Sequence, residues 1–374
     1  MDARKLKIAL VGCGQIADAH LQEMRKIAVA QPIAVCDHHL DLAKQAAARF
    51  EVPGVFDDTD RMLEEVRPDV VHVTTPPQTH RAVALRVLAA GAHLYMEKPF
   101  ALDADEADEV LAAAKAAGRL VCVGHDNLFD PVWEEVRELH RSGRLGRVVH
   151  VDSVQGYDLG GPFGKAFASE PDHWVHRLPG GLFQNVMSHA LYRITDFLPD
   201  DEPQVWATSF GSTPAGPTPT ELRVMLRGAE VTASLMFTSA VRPVQRVARV
   251  YGTRESVEVD LDGRTVRTYR QLKMPGAFAK IEAPFRQRRE AAKALRRAVG
   301  GFLRGRIHYF AGMNKLFRLF YDAILTGGAP PISPGEIRRN TALMDEIFRH
   351  CAERQAPPAR PTRLSGAAAQ AGTV

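Results

Sequence analysis

The chain has 374 residues, of which 45% are hydrophobic and 25% charged, and its formal net charge is +4. These are the proportions of a soluble globular protein of about two domains, and so even a balance excludes a dedicated nucleic-acid binder. No apolar run approaches the roughly 18 residues of a membrane span, Met1–Lys5 leads into Leu6–Val11 without a cleavage signal, and the separated cysteines (Cys13, Cys36, Cys122, Cys351) form no metal or disulfide pattern, so a cytoplasmic protein is expected.

Up to about residue 125, short apolar runs alternate with helical spacing. Lys7–Val11, Pro32–Cys36, Val70–Thr74, His93–Met96 and Leu120–Val123 read as strands covered on both faces. Between them Ile16–Ala30, Asp41–Phe50, Arg61–Val66, Thr79–Ala90 and Asp103–Ala117 carry helical periodicity. A row of such βα units predicts a doubly wound parallel sheet over residues 1–125.

A helix at Asp130–His140 leads into a different pattern. Val148–Val154, Gln204–Ser209, Leu222–Leu226, Val231–Phe237, Gln245–Tyr251, Ser256–Asp260 and Thr265–Tyr269 are β-rich, and one helix, Gly181–Leu198, interrupts them. Turns such as Arg227-Gly228 and Asp262-Gly263 predict an open, mainly antiparallel sheet. The fold class is therefore α/β, with a parallel-sheet domain followed by an α+β domain over 126–354.

The net charge is unevenly spread. Residues 280–306 contain nine Lys and Arg against Glu282 and Glu290, a net +7, which leaves the rest of the chain at −3. Phe285, Ala292, Leu295, Val299 and Phe302 fall on one helical face of this segment. The basic stretch 273–312 admits three readings: a solvated helix or subunit contact, a peripheral membrane contact through 280–306, or capture of substrate phosphates. Helices at Met313–Leu325 and Ser333–Arg354 follow, and the Ala/Pro/Gly-rich 355–374 is expected to be a disordered tail.

The strongest local motif is Gly12-Cys13-Gly14-Gln15-Ile16-Ala17, a GxGxxA between the first strand and the first helix. Gly12 permits the tight turn, Gly14 lets backbone approach a pyrophosphate, and Ala17 lets helix and strand pack closely, which is a Rossmann dinucleotide fingerprint. Asp37 ends the second strand, where a carboxylate accepts from both ribose hydroxyls and repels a 2′-phosphate. NAD is therefore favoured over NADP. No metal-ligand cluster stands out. At the end of the fourth of these strands comes Glu97-Lys98-Pro99, where ligands of open α/β sheets bind.

With these residues the chain resembles the Gfo/Idh/MocA oxidoreductases, the relatives of glucose–fructose oxidoreductase and inositol dehydrogenase. The features are GCGQIA running on to His20, Thr74–His80 leading to the EKP at 97–99, and Gly180–Asn185 continuing through His189 to Asp196. The resemblance implies hydride transfer between a nicotinamide and a hydroxyl or oxo carbon of a sugar, in a homodimer or homotetramer. Lys98 would hydrogen-bond the reacting oxygen and His189 would exchange the proton. Gly12, Gly14, Gln15, Ile16, Asp37, Thr75, Pro76, His80, Glu97 and Lys98 would line the cofactor, although the ring of His80, like those of His20 and His93, also reads as bonded to backbone. Asn127, Trp174 and Asn185 would face substrate.

Two positions depart from the family pattern. Asn185 stands where an Asp is frequent, and an amide takes no proton, which concentrates proton transfer on His189. Nucleotide-sugar members resemble this asparagine variant, so an activated sugar is the favoured substrate. Leu128 stands where an Arg is common. Asp172-His173-Trp174 and His176-Arg177 either line the substrate site or form a surface loop. The rival reading is a non-catalytic dinucleotide-binding regulator or sensor.

Overall fold

The computed structural model describes residues 4–170, 172–213, 219–271, 275–303 and 310–355. Among them the first half of the chain forms a parallel sheet from β1 (Leu6–Val11), β2 (Ala30–Cys36), β3 (Gly54–Phe56), β4 (Val70–Val73), β5 (His93–Met96) and β6 (Val121–Val123). Strand order is β3-β2-β1-β4-β5-β6, with every neighbouring pair parallel. Helices α1 (Ala17–Met24), α2 (Leu40–Phe50), α3 (Thr59–Val66), α4 (His80–Ala89) and α5 (Ala104–Ala117) connect the strands. The apolar strands are covered on both faces: all of β4 and β6 is buried, and in β1 only Lys7 is exposed. Side-chain caps fix two helix starts, Asp58 accepting from the Arg61 N–H and Asp103 from the Glu106 N–H, each at 2.8 Å. The edge strand β3 is too short, at three residues, to leave a periodic trace in the sequence.

After α6 (Pro131–Arg141) the chain builds a second sheet from β7 (Val148–Gly156) and, beyond three further helices, β8 (Gln204–Phe210), β9 (Glu221–Arg227), β10 (Thr232–Thr238), β11 (Arg246–Gly252), β12 (Glu255–Asp260) and β13 (Thr265–Arg270). Its order is β13-β12-β11-β7-β10-β9-β8, antiparallel except where β10 runs parallel to β7. The intervening helices are α7 (Pro162–Ser169), α8 (Gly181–Val186) and α9 (Ser188–Thr195). The single helix expected over Gly181–Leu198 is therefore two. They meet at Met187, where the Ala190 N–H bonds the Met187 carbonyl in a tightened i→i−3 turn (2.9 Å).

The basic segment is a long helix, α10 (Gly276–Leu303); residues 272–274 and 304–309 lie outside the described set, as does the tail from 356. α11 (Ala311–Thr326) and α12 (Pro334–Gln355) close the chain. Although it belongs to the second half of the sequence, α11 returns to the first sheet. Phe317 packs edge-on against His72 and Tyr95 (centroids 4.7 and 4.8 Å), and the Asn314 side chain donates to the Glu23 carbonyl. α12 ties both halves together: Asp345 accepts from the Ala104 N–H (2.7 Å), while Arg339 donates to the Pro199 carbonyl. Truncating the fully buried Phe317 to Ala should lower the unfolding free energy by about 3–5 kcal/mol, measured by chemical denaturation.

Candidate active site

The first sheet reverses its direction of growth between β1 and β4, so a crevice opens above their carboxyl ends. Gly12 lies at its floor with φ +98°, and a Cβ there would meet Thr74 C and Thr75 N at 2.7 Å. Thr74 Oγ1 donates to the Gly12 carbonyl at 2.6 Å, fixing the turn to β4. Gly14 has open space on its Cβ side, and the exposed Gln15 and half-buried Ile16 complete the turn into α1. Such a cradle admits a pyrophosphate close to backbone, at a helix N-terminus that favours negative charge.

Asp37 is braced against this turn. Its carboxylate accepts from the Cys13 N–H (2.6 Å) through one oxygen and from the His39 N–H (2.8 Å) through the other. A carboxylate has about four lone-pair sites, so capacity remains for two ribose hydroxyls. Burial and the Asp37 charge push the neighbouring Cys13 thiol up to about 12, keeping it neutral. On the opposite rim Thr75 is half-buried and Pro76 exposed. His80 is fully buried, with its two ring nitrogens each 2.9 Å from the carbonyls of Thr75 and Pro99. It thus shapes the crevice through the backbone of Thr75 and Pro99 that it lies against.

Glu97 ends β5 almost entirely buried. Its Oε1 accepts from His20 Nε2 (3.0 Å); His20 Nδ1 meets His72 Nδ1 (3.0 Å), and His72 Nε2 meets the Tyr321 hydroxyl (2.9 Å). One assignment satisfies every partner with both rings neutral: Tyr321 donates to His72, His72 to His20, and His20 to Glu97. Burial would raise the Glu97 pKa, but the His20 bond and the Lys98 charge outweigh it and hold Glu97 below the usual carboxylate value.

Lys98 Nζ donates to the Asn185 carbonyl at 2.9 Å and, more weakly, to Asn185 Oδ1 at 3.5 Å. An ammonium has three donors, so one remains for a ligand. Burial lowers the Lys98 pKa, opposed by the charges of Glu97 and Asp126.

Asn185 and His189 are four residues apart across the α8–α9 junction and are both half-buried, while Val186, Met187 and Ser188 between them are fully covered. His189 Nδ1 lies 2.7 Å from the Tyr192 hydroxyl. That oxygen also accepts from the Asn127 N–H (3.3 Å), and its proton reaches Asp126 Oδ1 (3.5 Å). With one lone pair committed to Asn127 and the proton to Asp126, the second lone pair accepts from His189 Nδ1–H, which leaves His189 Nε2 as an acceptor. Burial, reinforced by the charges of Lys98 and Arg193, pushes the His189 pKa well down. Burial and the Glu97 charge raise Asp126 to about 6. The sequence reading missed Asp126 and Tyr192. Asp126 adjoins Asn127, which the sequence does mark, whereas Tyr192, between Leu191 and Arg193, carries no local signal.

The remaining candidates divide. Trp174 is half-buried, and its carbonyl accepts from Gln78 Nε2 (2.9 Å), which stitches the 172–178 loop to the cofactor rim. His173 stacks on Trp174, and His176 donates to the Phe167 carbonyl (3.0 Å), so both order that loop. The Asn127 amide donates to Asp126 (2.7 Å). Leu128 is buried and supplies packing where a charge is common. Asp196 accepts from Trp133 Nε1 and, in a two-pronged pair, from Arg137 at 2.7 Å, which fixes α9 to α6. Gly180 passes so close to the Phe348 ring that a Cβ would lie 2.1 Å from it. Among the described residues no cluster of three His, Cys, Asp or Glu could hold a metal ion.

Residues 6–125 match a family model described as the oxidoreductase family, NAD-binding Rossmann fold, and residues 133–258 match the GFO/IDH/MocA C-terminal domain. The chain belongs to the Gfo/Idh/MocA family. Within it, the D-glucoside 3-dehydrogenase of Escherichia coli strain K12 is 32% identical over 149 residues, 40% of this chain and 42% of that protein. The UDP-N-acetylglucosamine 3-dehydrogenase of Acidithiobacillus ferrooxidans is 32% identical over 133 residues, 36% and 41% of the two chains. The chain thus spans about two-fifths of the length of these curated relatives. The whole fold is shared more widely: the WlbA dehydrogenase of Bordetella pertussis, solved with NADH and UDP-GlcNAcA, superposes with a TM-score of 0.78 at 20% identity, covering 95% of this chain and 97% of the other.

The fingerprint of this Gfo/Idh/MocA chain is testable at Gly12. Gly12→Ala, with positive φ and no room for a methyl group, should weaken NAD binding at least about tenfold in calorimetric titration while the second sheet stays folded.

Proposed function

We propose that this protein is an NAD-dependent dehydrogenase that oxidises a secondary hydroxyl of a sugar, with a nucleotide-linked sugar as the favoured substrate. The observation that carries the reading is the Lys98 ammonium bonded to Asn185 (2.9 Å), one helical turn before a histidine that is linked through Tyr192 to the Asp126 carboxyl. The residues fit NAD: Gly12 and Gly14 leave room for its pyrophosphate, and Asp37 suits an unphosphorylated adenosine ribose better than that of NADP. When bound, NAD supplies the acceptor for a hydride at C4 of its nicotinamide.

The chain's own groups then divide the work. The third Lys98 N–H donates to the substrate hydroxyl and stabilises the negative charge that grows on it. His189 Nε2 takes the hydroxyl proton as the carbon gives up its hydride, so that C–H and O–H bonds are lost and a carbonyl is formed. Tyr192 and the Asp126 carboxylate hold the imidazole and offset the positive charge it gains. Asn185 orients Lys98 and substrate without moving a proton.

The two-fifths matches to sugar and nucleotide-sugar dehydrogenases, together with Asn185, support the substrate class. Exposed Trp206, Phe210 and Met225 on β8 and β9 suit a homodimer or homotetramer formed through the outer face of the second sheet. The buried thiols of Cys13, Cys36 and Cys122 suit a reducing cytoplasm, and among the described residues no helix is long and apolar enough to cross a membrane.

Lys98→Ala and His189→Ala should each lower kcat about 10²–10⁴-fold on a substrate found in a panel of sugars and sugar nucleotides, while the NAD dissociation constant stays within a few-fold. Bound NAD that is never reduced across that panel would instead favour a dinucleotide sensor. Asp126 is charged only above about 6, whereas His189 is already neutral there. The kcat/KM for oxidation should therefore fall as pH drops through about 6, and Asp126→Asn should remove that limb and lower the plateau.

A further inference from the structure

α10 turns its apolar residues away from the protein. Its packed side is a ladder at four-residue spacing, Glu282, Arg286, Glu290 and Ala294. Glu282 pairs with Arg270 (3.7 Å) and Arg286 (3.6 Å), Glu290 accepts from the Thr268 N–H (3.2 Å), and Lys293 reaches Glu135 of α6 (2.7 Å). On the far side Phe278, Ile281, Phe285, Leu295, Val299 and Phe302 are all exposed, Phe285 at 62% and Phe302 at 75%. At about 1.5 Å per residue this stripe runs for roughly 36 Å, longer than the isolated apolar residues that soluble surfaces ordinarily carry. Lys280, Arg288, Arg289 and Arg296 stand exposed within it or along its edges.

We infer that α10 is a docking helix for the surface of an anionic lipid bilayer, lying in the plane of the interface with its phenylalanines inserted. Aromatic and aliphatic side chains facing outward, bordered by Arg and Lys, match a surface whose interior is apolar and whose headgroups are negative. Arg288, in the middle of the stripe, reaches the headgroups along its own methylene stem.

The stripe repeats at alternating three- and four-residue steps, so a coiled-coil seam with a second copy is the competing occupant. Charge disfavours it. In an antiparallel two-fold pairing the flank bearing Arg289 and Arg296 meets itself, in a parallel one it meets Ala291 and Ala298, and the nearest acids, Glu282 and Glu290, are already engaged within the chain. An anionic membrane supplies the missing charge along the whole helix.

The test is co-sedimentation of the full chain with vesicles of phosphatidylcholine containing about one-quarter phosphatidylglycerol, compared with phosphatidylcholine alone. Partitioning should be at least about tenfold stronger on the anionic vesicles and should fall as salt is raised. The double variant Phe285→Glu, Phe302→Glu, altered only at exposed positions, should stay in the supernatant with unchanged NAD binding, melting temperature and solution mass. Wild-type protein that does not pellet, or pellets equally on both vesicles, overturns the proposal, as does a double variant that still pellets. A drop in the variant's solution mass also overturns it, assigning the stripe to a second copy.

Discussion

Glu97 keeps its charge at the carboxyl end of β5 almost out of reach of water, and the groups around it take their protonation states partly from that charge. It opposes the loss of the proton that burial would otherwise strip from Lys98, and it adds to the burial that raises Asp126. A buried carboxylate is tolerated only where donors are aimed at it. Here the donors are the Lys98 N–H (3.2 Å) and His20, itself held by His72 and Tyr321, so three elements of the first domain and one helix from the far end of the chain together maintain one anion.

The proton-handling side is assembled in the same manner. Asp126 is held just beyond the end of β6 while His189 and Tyr192 lie on α9, so the arrangement exists only when α9 rests against the carboxyl end of the first sheet. Arg193, the next residue, is wholly buried and binds Ser153 and Gln155 of β7, which sets the rotation of α9 and hence the direction of His189. Burial lowers that guanidinium to about 10, still far above neutrality, so the positive charge persists and contributes to keeping His189 neutral.

Most strands of both sheets are legible in the sequence because apolar runs and turn residues are local signals. The glycine turn, Asp37 and the Glu97-Lys98-Pro99 segment are legible for the same reason: each acts within a few residues of backbone. What escapes is whatever depends on chain returning from a distance. The parallel pairing of β7 with β10 follows from a long crossing connection that no window contains. Tyr192 reads as core until Asp126, sixty-six residues earlier, is brought beside it. His72 reads as one position in a buried strand until α11 arrives to explain its polarity.

That arrival has a consequence for how the protein is made. His72 and Tyr321 are 249 residues apart, and Glu23 and Asn314 are 291 apart, so the first domain leaves the ribosome with the patch around His72 and Tyr95 uncovered on one face of its sheet. At about 5–20 residues per second, roughly 10–40 s separate completion of β6 from the appearance of α11. For that interval Tyr95, His72 and the packing surface of Phe317 are open to water and to other chains. A truncated product ending before α11 would keep this exposure permanently, which makes α11 a condition for covering that patch as well as for the site.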